Sequence, residues 1–280
     1  MKVLVTGDSG HIGRQLVSSL KKRGFEVVGL DLKHDTTDYE TVDFDLTKPG
    51  LPRVPDIGAI FHLAADTECT DPDRCFKINV KGTEKMLDLA RKNKAIFVYA
   101  STGGIYGFND KPFKETDKAN PDGVYAKTKT QAEELCKKYS TYFPVIILRY
   151  FFPYGTGDDR RLVNRLIKKI QISETVELNA CGKPIINPIA MSDAMEATIR
   201  SMSLQGFNIL NVGGKDNVSI LNIVKLIEKE LGKKAKIIYN DKKVSNLVGD
   251  ITKTKKILGF EPRTDIKTGI RELVKQSQES

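Results

Sequence analysis

The sequence predicts an α/β fold, a Rossmann-type doubly wound parallel sheet followed by a smaller C-terminal α/β domain. Three observations predict it. Apolar runs and amphipathic stretches alternate along the first 150 residues at the spacing of βαβ units, which demands a parallel sheet covered on both faces. A glycine-rich turn with Gly7, Gly10 and Gly13 joins the first apolar run to the first amphipathic stretch. An acid, Asp31, closes the second apolar run.

Val3 to Val5 is a buried-type strand, and Leu16, Val17 and Leu20 recur at helical spacing until Gly24 stops the helix. Val27 to Leu30 is the second strand. Gly7 permits a tight turn, Gly10 lets backbone approach a pyrophosphate, and Gly13 lets helix pack on strand. The helix N-terminus then offers N–H groups to the phosphates. Asp31 lies 24 residues after Gly7, where a carboxylate accepts both hydroxyls of an adenosine ribose and repels a 2′-phosphate. The spacing therefore points to NAD rather than NADP, with Lys33 as a partial offset.

Further strands are expected at Val42–Asp45, Ala59–Ala65, Ala95–Ala100 and Val145–Arg149, with helices at Asp73–Asn93 and from Tyr125 to near Tyr142. Ligands in such sheets sit beyond the carboxyl ends of strands. Asp45, Ala64, Ala65, Ser101, Thr102 and Tyr150 fall at such ends. Past Arg149 the texture changes to turns, short strands and the helices Leu162–Ile172, Ser192–Met202, Ser219–Leu231, Thr252–Leu258 and Ile266–Lys275. Residues 1–150 are expected to hold the cofactor, with 191–213 returning to them. Residues 151–190 and 214–280 are expected to form the smaller, substrate-binding domain.

Composition narrows the function classes. No run of about 18 apolar residues occurs, so no membrane span is expected, and the chain opens on an expected strand, so no signal peptide is expected. The net charge of +9 comes mainly from lysines in pairs such as Lys137–Lys138 and Lys168–Lys169. These read as solvated helix faces and helix C-termini. No basic stretch interleaves with aromatics, so no nucleic-acid partner is expected. Cys69, Cys75, Cys136 and Cys181 show no C-x-x-C pair. They read as free thiols in a reducing, cytoplasmic setting, with no metal site.

Tyr125 and Lys129 stand four apart on a helix and share a face. A free tyrosine titrates near ~10, and lowering that by about three units takes roughly 4 kcal/mol of differential electrostatics. A neighbouring ammonium and an oxidised nicotinamide ring both act in that direction. Thr102, from a neighbouring strand end, can hydrogen-bond the phenol and a substrate hydroxyl. Hydroxyl, phenolate and ammonium beside a nicotinamide make a hydride-transfer site. A Tyr-x-x-x-Lys spacing alone is common on surface helices. Here it follows a strand-end Ser-Thr pair downstream of a dinucleotide turn.

At this point the chain resembles the extended short-chain dehydrogenase/reductases of the NAD-dependent epimerase/dehydratase family, of the UDP-glucose 4-epimerase kind. The matching residues are Thr6-Gly7-x-x-Gly10-x-x-Gly13, Asp31, Asp45–Leu46, His62-Leu-Ala-Ala65, Asn79-Val-x-Gly-Thr83, Ser101–Thr102 with Tyr106–Gly107, Tyr125-x-x-x-Lys129, Arg149-Tyr-Phe, Asn211-Val-Gly213 and Leu258-Gly-Phe-x-Pro262. The resemblance implies Tyr125 as general base, Lys129 as its ribose-binding partner and Thr102 as the catalytic hydroxyl. It implies cofactor contacts at Gly7, Gly10, His11 and Ile12 in the turn, and at Asp31 and Lys33 after the second strand. Asp45 and Leu46 would flank the adenine. Leu63, Ala64, Ala65, Asn79, Ala100 and Tyr150 complete the NAD set. His62 reads as a strand residue rather than a ligand. The family also implies a homodimer through the helix bearing Tyr125.

Departures from the family pattern matter equally. Gly103 and Gly104 replace the Asp-Glu pair of sugar dehydratases, which argues against water elimination. Phe152 replaces a common asparagine. Ile186 and Leu247 stand where nucleotide-sugar members place arginines, so either other basic residues such as Arg160, Arg161 or Lys183 hold the substrate, or it is not a typical nucleoside-diphosphate sugar. Thr67, Thr102 and Phe152 complete the expected substrate contacts. The leading reading is an epimerase of a sugar hydroxyl, on a nucleotide sugar. A dehydrogenase or keto-sugar reductase and a non-catalytic dinucleotide sensor are the alternatives.

Overall fold

The computed structural model describes residues 1–34 and 37–279. The first half runs β1 (Lys2–Thr6), α1 (His11–Lys21), β2 (Glu26–Asp31), β3 (Glu40–Asp43), β4 (Ile57–His62), α2 (Pro72–Phe76), α3 (Gly82–Asn93), β5 (Ile96–Thr102), α4 (Gly123–Tyr139) and β6 (Val145–Tyr150). The second half runs α5 (Leu162–Gln171), β7 (Thr175–Asn179), β8 (Ile185–Ile186), α6 (Met191–Ser201), β9 (Phe207–Val212), β10 (Val218–Ser219), α7 (Ile220–Leu231), β11 (Lys236–Asn240), α8 (Thr252–Leu258) and α9 (Ile266–Glu279).

Seven strands form the main sheet in the order β3-β2-β1-β4-β5-β6-β9. The β1–β2, β1–β4, β2–β3 and β4–β5 pairs are parallel. The chain winds outward in one direction from β1 to β3 and in the other from β4. The crevice at β1 is therefore the switch point where such sheets take ligands. The expected parallel α/β architecture is the one found.

The chain divides into two compact units. The first comprises Met1–Ile105, Lys118–Arg149 and Ala197–Leu210; the second comprises Tyr106–Asp117, Tyr150–Glu196 and the residues from Asn211 onward. In the first, Leu4, Val28, Ile60, Met86, Phe97 and Ile147 lie in one apolar core. The second has its own core, including Tyr154, Val163, Ile170, Ile223, Ile227 and Ile270. It carries two small sheets, β8 antiparallel to β10 and β7 parallel to β11.

Local chemistry explains the element ends. Asp71 caps α2 by accepting from the Asp73 and Arg74 amides at 3.0 and 3.2 Å, and Pro72 fills the first helical position. Ser219 caps α7 through the Asn222 amide at 3.2 Å, and Gly232 ends it at φ +62°.

Three expectations need correction. The helix read as Asp73–Asn93 is interrupted by a π-helical turn, Lys77–Lys81, between α2 and α3. The Thr83 hydroxyl donates to the Asn79 carbonyl at 2.6 Å and so competes for a backbone acceptor of the helical ladder. The strand read as ending at Asp45 stops at Asp43. Asp45 instead closes a turn, accepting from the Thr47 amide at 2.8 Å and hydroxyl at 2.7 Å. Cys69 and Cys75 are not free thiols; they form a disulfide with Cα atoms 5.0 Å apart. Asp66 explains the approach. Its carboxylate accepts from the Glu68 and Cys69 amides at 3.1 and 3.0 Å and folds the loop back onto α2. Cys136, buried, and Cys181, exposed, are free.

Among the described residues no helix is long and apolar enough to cross a membrane.

Candidate active site

The glycine turn follows from sterics. Gly7 sits at φ +70°, a conformation L side chains rarely adopt, and a Cβ there would meet the Ala64 backbone at 2.8 Å. The Gly7 amide donates to Leu30 O at 2.8 Å. A Cβ on Gly13 would overlap the Gly7 carbonyl, so α1 can pack on the turn only because residue 13 is glycine. At Gly10 a Cβ would meet only the Gly7 oxygen, at 3.0 Å, within 4 Å; beyond that the space is open. The N-cap residue of α1 is Gly10, which has no side chain to cap it, and a helix N-terminus favours an anion. His11 is buried and Ile12 half-buried at that end.

Asp31 is half-buried at the end of β2. Its carboxylate accepts from the Ser9 amide at 3.2 Å and the Leu32 amide at 2.8 Å. A carboxylate has about four acceptor sites, so two remain for ribose hydroxyls. Lys33 is exposed, and Leu46 is buried against Gly82. The Thr47 hydroxyl, and then the Thr47 amide, hold the Asp45 carboxyl below the usual range. Leu63 and Ala64 are pinned beside the turn: their amides donate to the Thr6 carbonyl at 3.1 Å and the Thr6 hydroxyl at 3.2 Å. Ala65 follows, half-buried.

His62 belongs to the scaffold. Its Nδ1 lies 2.6 Å from the Thr6 hydroxyl and its Nε2 3.0 Å from the Thr83 hydroxyl. Thr83 spends its own proton on the Asn79 carbonyl, so it must accept from His62. The ring is therefore the Nε2–H tautomer, accepting from Thr6 at Nδ1. Burial pushes its pKa down to about 3, with the Lys129 charge adding to the shift. The neutral ring ties β1, β4 and α3 together at the strand ends.

Tyr125, Lys129 and Glu133 occupy successive turns of α4 on one face. Tyr125 is half-buried, while Lys129 is only 2% exposed. The Lys129 Nζ lies 5.9 Å from the Tyr125 ring centroid and 4.6 Å from that of Tyr99. It donates to the Ala100 carbonyl at 2.8 Å; an ammonium has three donors, so two remain for a ribose and a phenolate. Burial lowers its pKa to about 8, against the opposing influence of Cys136 and Glu133. It therefore stays mostly charged near neutrality while being easily discharged.

Thr102 ends β5 and its hydroxyl accepts from the Gly104 amide at 3.1 Å, leaving its proton to donate. Asn79 is buried in the π-helical turn. It accepts from the Asp66 amide at 2.8 Å and donates to the Asp66 carbonyl at 2.9 Å and the Thr128 hydroxyl at 3.0 Å. Asn79 thus braces the loop after β4, where Thr67 is exposed, against α4.

Glu133, and a second group of residues, escaped the sequence reading. Glu133 accepts from Arg149 through Nε at 3.0 Å and Nη2 at 2.6 Å, and from the Ser101 hydroxyl at 2.5 Å. All three are buried, so α4 is locked to β5 and β6 one turn beyond Lys129. The signal was present: 133 extends the 125, 129 spacing by one more step. The second group, Asp8, His34 and Asp43, lies around the glycine turn; an acid inside that turn was its only hint.

The remaining expected residues belong to the second unit. Tyr150, at the end of β6, is buried. Phe152 is half-buried at φ +45°. Arg160 donates to Asp158 at 2.9 Å, yet its side chain is 72% exposed. Lys183 is exposed just after Gly182. Ile186 and Leu247 are buried partners in a β-bridge; they pack that unit's interior and present no charge. Among the described residues no group of three or more His, Cys, Asp or Glu could hold a metal ion.

The donor set fits a dinucleotide. A carboxylate and a helix N-terminus stand at the glycine turn, and a buried ammonium stands at the end of β5. Comparison with known proteins agrees. A model described as "NAD dependent epimerase/dehydratase family" matches residues 3–213. The sequence is 30% identical to UDP-glucuronate 4-epimerase of Thermodesulfobacterium geofontis over 99% of this chain and 96% of that one. The fold superposes on MoeE5 in complex with UDP-glucuronic acid and NAD with a TM-score of 0.90 and 27% identity, covering 99% and 100% of the two chains. It superposes on UDP-glucuronic acid 4-epimerase from Bacillus cereus in complex with NAD with a TM-score of 0.88 and 26% identity, covering 99% and 97%.

Proposed function

The chain belongs to the NAD dependent epimerase/dehydratase family, and from that premise we propose that it is an NAD-dependent epimerase of a UDP-linked sugar. The observation that carries this is Tyr125 above the buried Lys129 on one face of α4. Gly7, Gly10 and the first turn of α1 would hold the pyrophosphate, Asp31 the adenosine ribose, and Lys129 the nicotinamide ribose. NAD bound there would supply reversible hydride transfer to and from the sugar carbon, with return to that carbon's other face. Tyr125, held as the phenolate by the Lys129 ammonium, would take the hydroxyl proton and become the neutral phenol. Thr102, with its proton free of Gly104, orients the same hydroxyl.

Thr67, Phe152, Arg160 and Lys183 are the proposed substrate contacts, with Arg160 and Lys183 supplying charge for the diphosphate. The second unit is the proposed substrate-binding domain, the assembly a homodimer and the compartment the cytoplasm.

The test is incubation with UDP-glucuronic acid and UDP-glucose, with products read by proton NMR. Appearance of the epimer with no net NADH is the expected result. Stoichiometric NADH would make the protein a dehydrogenase instead. Tyr125→Phe is expected to abolish turnover while NAD still binds. Unchanged biological activity in that variant would favour a non-catalytic sensor. Sedimentation velocity tests the dimer.

A further inference from the structure

The β2–β3 region carries a network, buried at Asp8 and His34 and open to solvent at Asp43, that the hydride chemistry does not use. His34 lies three residues beyond Asp31, with its side chain 4% exposed. Its Nε2 is 2.9 and 3.0 Å from the two oxygens of Asp8, and its Nδ1 is 2.7 Å from Asp43. The His34 amide also donates to Asp43, at 3.1 Å. Asp8 is fully buried within the glycine turn, and its second oxygen accepts from the Tyr39 hydroxyl at 2.8 Å. Room for this carboxylate exists because residue 29 is glycine: a Cβ there would overlap Asp8 and come within 2.8 Å of the Tyr39 ring.

Both ring nitrogens of His34 face carboxylate oxygens, and carboxylates only accept. A neutral imidazole would set one lone pair against another. The geometry is satisfied by the imidazolium, which bridges the turn, the loop after β2, and β3. We infer that His34 is a positioning residue for the cofactor: charged, it latches the loop behind Asp31 to the glycine turn and holds the adenosine end of the NAD site in binding shape. This rests on the NAD reading of the site given above.

Burial works against the His34 charge, but hydrogen bonds to Asp43 and Asp8 outweigh it and its pKa is raised above 6.5. The other charged or titratable groups around the network are Tyr39, Arg14 on α1, and the Lys21–Asp38 pair beside Tyr39. Burial, and then Asp8, push the Tyr39 hydroxyl upward, so it stays a donor throughout the range considered. The latch is therefore closed at low pH and opens as pH rises through the His34 value. An opened fraction weakens apparent NAD affinity in proportion.

The experiment compares wild type, His34→Gln and Asp8→Asn. In Asp8→Asn the new amide can donate to a neutral His34 while its carbonyl still accepts from Tyr39, so the variant keeps every hydrogen bond without needing the charge. NAD is titrated calorimetrically at about pH 6 and about pH 9. Wild type is expected to weaken about tenfold across that interval, and Asp8→Asn by less than about threefold. His34→Gln is expected to bind weakly at both, with the smaller pH ratio. Lys129 also titrates in this range but is common to all three proteins, so the difference in ratio isolates the latch. In parallel, imidazole NMR of the ligand-free protein is expected to show His34 titrating above free histidine in wild type and lower in Asp8→Asn. Equal pH ratios in wild type and Asp8→Asn, or a wild-type His34 that titrates at or below free histidine, would overturn the inference alone. A wild type that binds no NAD at either pH would overturn the functional reading and this one together. If His34→Gln fails to fold, Asp8→Asn and the imidazole titration still decide.

Discussion

Lys129 follows Tyr125 by one helical turn and donates to the Ala100 carbonyl at 2.8 Å from a nearly water-free position. The charge that would activate the phenol is thus held where charge is costly. In the folded protein its pKa is about 8, below the ordinary 10.5, because burial dominates. Below about 8 the folded ammonium is present and its desolvation cost is complete; between about 8 and 10.5 the unfolded chain binds the extra proton, so this group makes stability rise with pH. Lys129→Met is expected to gain about 2 kcal/mol at neutral pH and to lose that advantage near pH ~10. Its kcat is expected to fall by about 10²–10⁴. Chemical denaturation at several pH values, beside turnover assays, checks both.

Glu133 and Arg149 form a buried pair that also holds Ser101. Removing one partner strands a charge, and Glu133→Ala is expected to cost about 3–5 kcal/mol. Glu133→Leu combined with Arg149→Met should cost far less, because neither charge remains. Urea unfolding of the single and double variants measures the difference.

The cysteines separate by accessibility and bonding. Native protein is expected to take up iodoacetamide at Cys181 only, and at Cys136 as well once unfolded. Cys69 and Cys75 should label only after reduction. Peptide mass spectrometry distinguishes the three conditions. Labelling of Cys69 or Cys75 in unreduced, unfolded protein would contradict the disulfide.

Two glycines of one helix-and-turn unit are expected to respond differently to alanine. At Gly13 the added Cβ meets the backbone oxygen of Gly7, which cannot swing aside. Gly13→Ala should lose about 3 kcal/mol and NAD binding with it. Gly24 is at φ +77° with nothing within 4 Å, so Gly24→Ala should cost only the backbone strain, about 1–2 kcal/mol, and leave NAD binding intact. Thermal melts with and without NAD report both effects.

The parallel sheet and its glycine turn were legible in the sequence because each rests on local rules. β-branched runs make buried strands, and only glycine tolerates the positions at Gly7 and Gly13. The pairing of Tyr125 with Lys129 was legible because helical spacing alone brings them together. What stayed hidden required contacts between distant segments. Cys69 meets Cys75 only after Asp66 folds the intervening loop. His34 finds Asp8 across 26 residues, and no periodicity encodes that meeting. Asp45 was misplaced by a smaller effect: its bond to Thr47 competes with strand extension, and apolar patterning does not register such a turn.

The main sheet has a consequence for attempts to dissect this chain. β6 is buried along its whole length, lying between β5 and β9, yet β9 arrives more than fifty residues later in sequence. A fragment ending at Tyr150 would retain the glycine turn, Asp31, Tyr125 and Lys129. It would also bare one flank of Val145-Ile-Ile-Leu-Arg-Tyr150, a strand edge with unsatisfied amides and carbonyls. Such a border recruits further strands from other molecules, so the isolated N-terminal half should precipitate rather than serve as a minimal nucleotide binder.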